Sequence, residues 1–214
     1  MFILGAGSGG IVARMADAAL AGLPRIVRAH DEVRWRGQVL ATLGMASLSY
    51  WLILWLVGGP VQALPAGIVA GAGLLLALAL GAITSRRRVA HGLLTLRPPR
   101  GVVHETPADA RERRARAATI MFLGVGVLLL LDTLVSGIGA TAALVAGAGL
   151  GAGIIDRLEA RRWERAEDAR EVRIFLVLRP TALIASMGVQ DAYALPRART
   201  AGDDAPEEFP GTFL

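Results

Sequence analysis

The chain has 214 residues, a net charge of +5, 54% hydrophobic residues and a mean hydropathy of +0.50. That is too apolar for a soluble domain with 23 basic residues, unless the apolar positions are segregated into membrane spans. There is no cysteine, which excludes disulfides, thiolate metal sites and thiol catalysis; every basic residue is arginine, a bias that points to GC-rich coding and a bacterial source.

Residues 1–37 are expected to form an N-terminal cytoplasmic or interfacial segment, with no cleavable signal peptide because Arg14, Asp17 and Arg25 interrupt its apolar stretch. The string GAGSGG from Gly5 to Gly10 fits the glycine pattern that cradles a dinucleotide pyrophosphate. Its context fails: the preceding apolar run is about three residues, and no second strand ending in an acid follows before Arg34 and Trp35, so no cofactor is expected. Ile11, Val12, Met15, Ala19, Leu20, Leu23, Ile26 and Val27 recur at helical spacing and predict an amphipathic helix lying in the interface, broken at Pro24.

Apolar runs then occupy residues 39–57 and 63–84, forming transmembrane hairpin 1 (38–84), and residues 117–135 and 137–155, forming hairpin 2 (117–155). Nineteen helical residues rise ~28 Å, enough for a hydrocarbon core of ~30 Å. Between the hairpins lies a basic loop, 85–116; after them come a charged helix with a Leu-Arg-Pro element, 156–195, and a flexible tail, 196–214. Five arginines precede the first span, nine lie in 85–116 and nine follow the last span, whereas 58–62 and 136–139 carry no charge. The positive-inside rule therefore predicts cytoplasmic termini and middle loop in a multi-pass inner-membrane protein. Trp35 and Trp163 at the inner ends, and Tyr50, Trp51 and Trp55 near the outer end, suit interfacial anchors.

The string VAGAGL occurs at 69–74 and again at 145–150, and the Leu-Arg-Pro elements ending at Pro98 and Pro180 follow in the same order. These matches suggest two tandem parallel hairpin repeats related by a pseudo-two-fold along the membrane normal. The fold class is thus an all-α membrane protein of four transmembrane helices with small cytoplasmic β-like elements, residues 93–96 and 174–178, which could pair with each other. Gly67 and Gly71 (with Ala63) and Gly147 and Gly151 (with Gly139 and Ala143) place small residues every fourth position and predict helix-packing seams. Residues 156–172 read as a solvated continuation of the fourth helix, because their opposite charges sit three apart.

Asp132 is the only formal charge inside a span and is a candidate ion or partner site, weighed against a hydrogen-bonded structural role. His30, His91 and His104 are scattered without carboxylates at ligand spacing, so no metal or haem site is expected, and no Ser/His/Asp set indicates catalysis. Arg97 and Pro98 with Arg179 and Pro180 are candidate cytoplasmic docking elements. The pI near 11 is accounted for by arginines beside span ends facing anionic lipid, and no nucleic-acid partner is expected. The expected function is a non-enzymatic accessory, scaffold or assembly subunit of a larger membrane complex or homo-oligomer; the alternative is a small proton- or cation-coupled transporter using Asp132.

Overall fold

The computed structural model describes residues 24–58, 63–135, 140–177, 191–197 and 212–213. Among these residues four long helices, α1 (Ala29–Gly58), α2 (Ala63–Leu94), α3 (Pro107–Val135) and α4 (Ala140–Arg170), are accompanied by five short strands. These are β1 (Arg25–Arg28), β2 (Val102–His104), β3 (Val172–Val177), β4 (Ala192–Pro196) and β5 (Thr212–Phe213). All four helices are long and apolar enough to cross a membrane. With 30, 32, 29 and 31 residues they rise ~43–48 Å, so each continues well past a ~30 Å hydrocarbon core. The excess is charged, and it lies at the beginning of α1 and α3 and at the end of α2 and α4. Arg86, Arg87 and Arg88, expected in a loop, therefore belong to α2, and Arg111, Arg113, Arg114 and Arg116 belong to α3. The connection is only 95–106. Pro98 and Pro99 prevent α2 from resuming, and Thr106 starts α3 by accepting the Asp109 N–H on its hydroxyl at 3.2 Å, with Pro107 following at the first helical position.

The helix layer is centred on α4, which packs along its length against α1 on one side and α2 on the other. Small residues on two faces of α4 allow this. A Cβ at Gly147 would lie 1.9 Å from the Ala70 carbonyl oxygen, and one at Gly151 would lie 2.9 Å from that of Leu74. On the next face, Cβ atoms at Gly149 and Gly153 would lie 2.9 Å from the carbonyl oxygens of Leu40 and Gly37. Such close backbone approach is the means by which membrane-spanning helices attract one another, since apolar transfer does not drive helices together in lipid. On α2 the seam runs through Ala70, Gly73, Leu74 and Ala77, whereas Gly67 and Gly71 have open space where a Cβ would be. The expected face on α2 is displaced because α4 crosses beside it.

The arrangement is not the expected pseudo-two-fold. That symmetry would match the long α1–α4 seam with an equal α2–α3 seam, and among the described residues α3 makes none. Instead the repeated string is used in succession: Ala70, Gly73 and Leu74 of α2 meet α4, and their counterparts Ala146, Gly149 and Leu150 of α4 meet α1.

Beyond the charged helix ends the strands form one sheet in the order β4-β3-β1-β2-β5, with β1 and β2 parallel and the other pairs antiparallel. Residues 25–27, expected to end an amphipathic helix, are instead the central strand, with Ile26 and Val27 buried. Pro24 breaks helical continuity, and ladders on both flanks satisfy the backbone of β1; residues 11–23 lie outside the described residues. Of the two expected β-like elements, 174–177 falls in β3, while Leu93 and Leu94 complete α2 and do not pair with it. Ile174 and Leu176 on β3 pack with Trp163, Val33, Val89 and Ala160 of the helix ends, while Phe175 joins Ile26 and Val102 in a second cluster. Trp163, expected as an interfacial anchor, is 1% exposed at the centre of the first cluster, where a Cβ at Gly92 would sit 2.6 Å from its ring.

Candidate functional site

The dominant polar feature is a charge network at the arginine-rich end of the helix layer, and α4 supplies its centre. Asp156 accepts two hydrogen bonds from Arg36 of α1, at 2.6 and 2.8 Å, and lies 3.8 Å from Arg88 of α2, which also pairs with Glu159. One turn further on, Arg162 donates to Ser85 of α2 at 2.9 Å. Near the end of the helix, Glu167 accepts the Ile174 N–H of β3 at 2.9 Å and Arg28 at 3.2 Å, with His30 at 3.3 Å. On the other flank of α1, Glu32 receives Arg113 through two bonds of 2.8 Å and also Arg114, and Arg113 donates onward to Glu105 at 2.9 Å. Arg114 stacks over Trp35 at 5.8 Å, so that indole is held by α3.

Asp156, Glu159, Glu167 and Glu105 are all buried, and a buried carboxylate stays charged only with such partners. The expected continuation of the fourth helix through this stretch is present, and Arg157, Arg161 and Arg165 on it are exposed, but Asp156, Glu159 and Glu167 face inward, where their partners come from other elements and not from three residues away. The apolar stretch of α1 begins at Val39, so the groups before it lie beyond the span. Burial alone would raise the Glu32 pKa, but Arg113 and Arg114 outweigh it and hold it below the ordinary carboxylate value. Glu167 is likewise lowered, with His30, the Ile174 amide and Arg28 overcoming its burial. Burial opposes charging His30, yet Asp31 at 3.1 Å and Glu167 push its pKa up to about 9.

Asp132 sits at the opposite end of the layer. Its carboxylate accepts the Thr141 N–H at 3.2 Å and so caps the start of α4, where a negative charge also complements the helix dipole. Beside it the Thr133 hydroxyl donates to the Leu129 carbonyl, which leaves its oxygen to accept the Tyr50 hydroxyl at 2.7 Å. This contact ties α1 to α3, and between it and the Glu32–Arg113 pair the two helices stand apart. The resulting cleft, ≈ 360 Å³, is lined by Leu43, Ala46, Ser47, Tyr50, Phe122, Val125, Gly126, Leu129 and Leu130. The Ser47 hydroxyl is buried there with no hydrogen-bond partner among the described residues.

Arg97 pairs through its backbone with β4, donating to the Ala192 carbonyl and accepting from the Ala194 N–H at 2.9 Å, while Pro98 is exposed. Arg179 and Pro180 lie outside the described residues, as do Gly5 to Gly10 and the acidic tail. His104 stacks edge-on against Phe175, and no group of three or more His, Asp or Glu that could hold a metal occurs among the described residues. Sequence reasoning missed the charge network. The signal was present as carboxylates at 156, 159 and 167, but their burial depends on α4 being the central helix. No family model, curated protein or solved structure matches the chain.

Proposed function

We propose that the chain is a non-enzymatic, multi-pass protein of a bacterial inner membrane, with cytoplasmic termini, that acts as a structural subunit: an accessory, scaffold or assembly element within a larger membrane complex or a homo-oligomer. The observation that carries this reading is the state of α3. Only 6% of its apolar window is buried within the chain, against 50% for α4. Gly124 on α3, like Gly67 and Gly71 on α2, has room for a side chain and no neighbour filling it, and small residues with open space are what a further transmembrane helix packs against. The arginine-rich sheet and helix ends would face the cytoplasm by the charge asymmetry of the connections. A transport reading would need Asp132 on a pathway, and its bond to the Thr141 amide gives it a capping task instead.

The test is purification of the tagged full chain in a gentle detergent, with mass determination of the particle and identification of co-purifying chains. A particle heavier than one chain plus detergent is expected, reduced by Gly124→Leu or Gly71→Leu without loss of the chain's own thermal stability. A monomer that binds nothing, in native membranes as in detergent, would sink the proposal.

A further inference from the structure

We propose that the exposed stripe Arg157, Arg161 and Arg165 on α4 is a binding site for the phosphate of an anionic phospholipid. The inference rests on the reading that α4 crosses a membrane. It follows from a census of which arginines are already used. Arg25, Arg28, Arg34, Arg36, Arg88, Arg113, Arg114, Arg116 and Arg197 lie against carboxylates, and Arg162 and Arg170 donate to Ser85 and the Leu93 carbonyl. Among the described residues no side-chain hydrogen bond or ion pair involves Arg157, Arg161 or Arg165, all three exposed. The acids nearest them in sequence are committed elsewhere: Asp156 to Arg36, Glu159 to Arg88 and Glu164 to Arg34. Three positive charges at four-residue spacing therefore stand on one helix face with no ion-pair partner among the described residues.

Their height is set by the residues above them. Ile154 and Leu158, 46% and 42% exposed, continue into Arg161 and Arg165 at steps of four, three and four, a single row that passes from aliphatic to guanidinium within one turn. On α4 no large apolar residue is exposed beyond Leu158, so the lipid boundary on this helix falls just beyond it. Arg161 then lies ~4.5 Å and Arg165 ~10 Å further along the axis, against a headgroup layer of about 5–8 Å on each side of the bilayer. Arg157, level with Leu158, reaches the same layer by extending its stem over apolar surface. The same row occurs on α2, where Leu76, Leu80 and Ile83, each more than half exposed, lead into the exposed Arg87. A guanidinium fork binds a phosphate through two parallel N–H bonds. A lipid of net negative charge is favoured over phosphatidylcholine, whose own choline already neutralises its phosphate.

The full chain is reconstituted into phosphatidylcholine vesicles carrying a minor fraction of spin-labelled phosphatidylglycerol or spin-labelled phosphatidylcholine, and the motionally restricted fraction of each probe is compared. Wild type should restrict phosphatidylglycerol preferentially, and each arginine replaced by glutamine should lower that preference at the site by up to about fivefold, the factor equivalent to ~1 kcal/mol per basic residue. R157K/R161K/R165K should keep most of the preference, and R34Q, which removes a committed arginine, should leave it unchanged. Equal restriction of both probes by wild type, or a preference that survives R157Q/R161Q/R165Q, overturns the proposal. Failure of the chain to float with the vesicles at all would instead remove the membrane reading on which it rests.

Discussion

A side chain at Gly147 has nowhere to go, since its Cβ would fall 1.9 Å from a backbone oxygen of α2, and backbone in a packed helix cannot yield as a flexible side-chain tip can. Gly71 lies on the other helix of the same pair with nothing within 4 Å, so alanine there adds contact-free volume and the better intrinsic helix propensity of alanine, up to ~1 kcal/mol. Gly147→Ala should therefore lower stability by about 1–3 kcal/mol or more, the range for overpacking, while Gly71→Ala should be neutral or slightly stabilising. Thermal unfolding of both variants in one detergent checks this, and equal midpoints would remove the α2–α4 seam. Both glycines look alike in sequence, four-spaced and in corresponding copies of one string. What separates them is the crossing of α4 beside the Gly71 face, a relation that no local pattern encodes.

At the scale of elements, the spans were legible because nineteen or more apolar residues have one economical solution in lipid, whereas the spacing of Gly147 and Gly151 marks a face of small residues without naming α2 as the helix that meets it. The central position of α4 was not legible. Its second half carries ten charged residues between Asp156 and Arg170, a composition that by itself reads as solvent-exposed, and burial arises only because Arg36, Arg88 and Arg28 approach from other elements. Likewise β1 is short and borders a proline, and its strand character comes from β2 and β3, which lie far away in sequence. The network makes a sharp prediction. Asp156→Asn leaves Arg36 and Arg88 facing each other without the shared carboxylate, and breaking a buried pair in this way costs about 3–5 kcal/mol. Asp132→Ala, by contrast, removes one cap and should cost only ~1 kcal/mol. A urea or thermal series on the two variants distinguishes them, and an Asp156→Asn protein as stable as wild type would mean that the buried pairs contribute nothing.

For the molecule as a whole, the same groups fasten the sheet to the helix layer, and they do so only within a window of pH. Glu167 is the rivet: one oxygen holds the Ile174 amide of β3, the other meets Arg28 and His30 at the junction of β1 and α1. His30 faces Asp31 and Glu167 as attractive partners and Arg28 as a repulsive one. Its folded pKa of about 9 stands above the ordinary 6.5, so its contribution is complete below pH 6.5 and is lost as pH rises through 9. Glu32 and Glu167 have folded values below 4.5, so their contribution is complete above pH 4.5 and is lost as pH falls through those lowered values. Stability should accordingly be greatest between about pH 4.5 and 6.5 and decline on both sides, the alkaline decline amounting to roughly 1–2 kcal/mol after solvent screening. His30→Gln removes the titrating group while keeping a hydrogen-bonding side chain. It should flatten the alkaline limb between pH 6.5 and 9 and leave the acid limb in place, as measured by thermal unfolding across that range. An alkaline limb of unchanged depth in the variant would show that His30 does not carry the charge that couples sheet to helices.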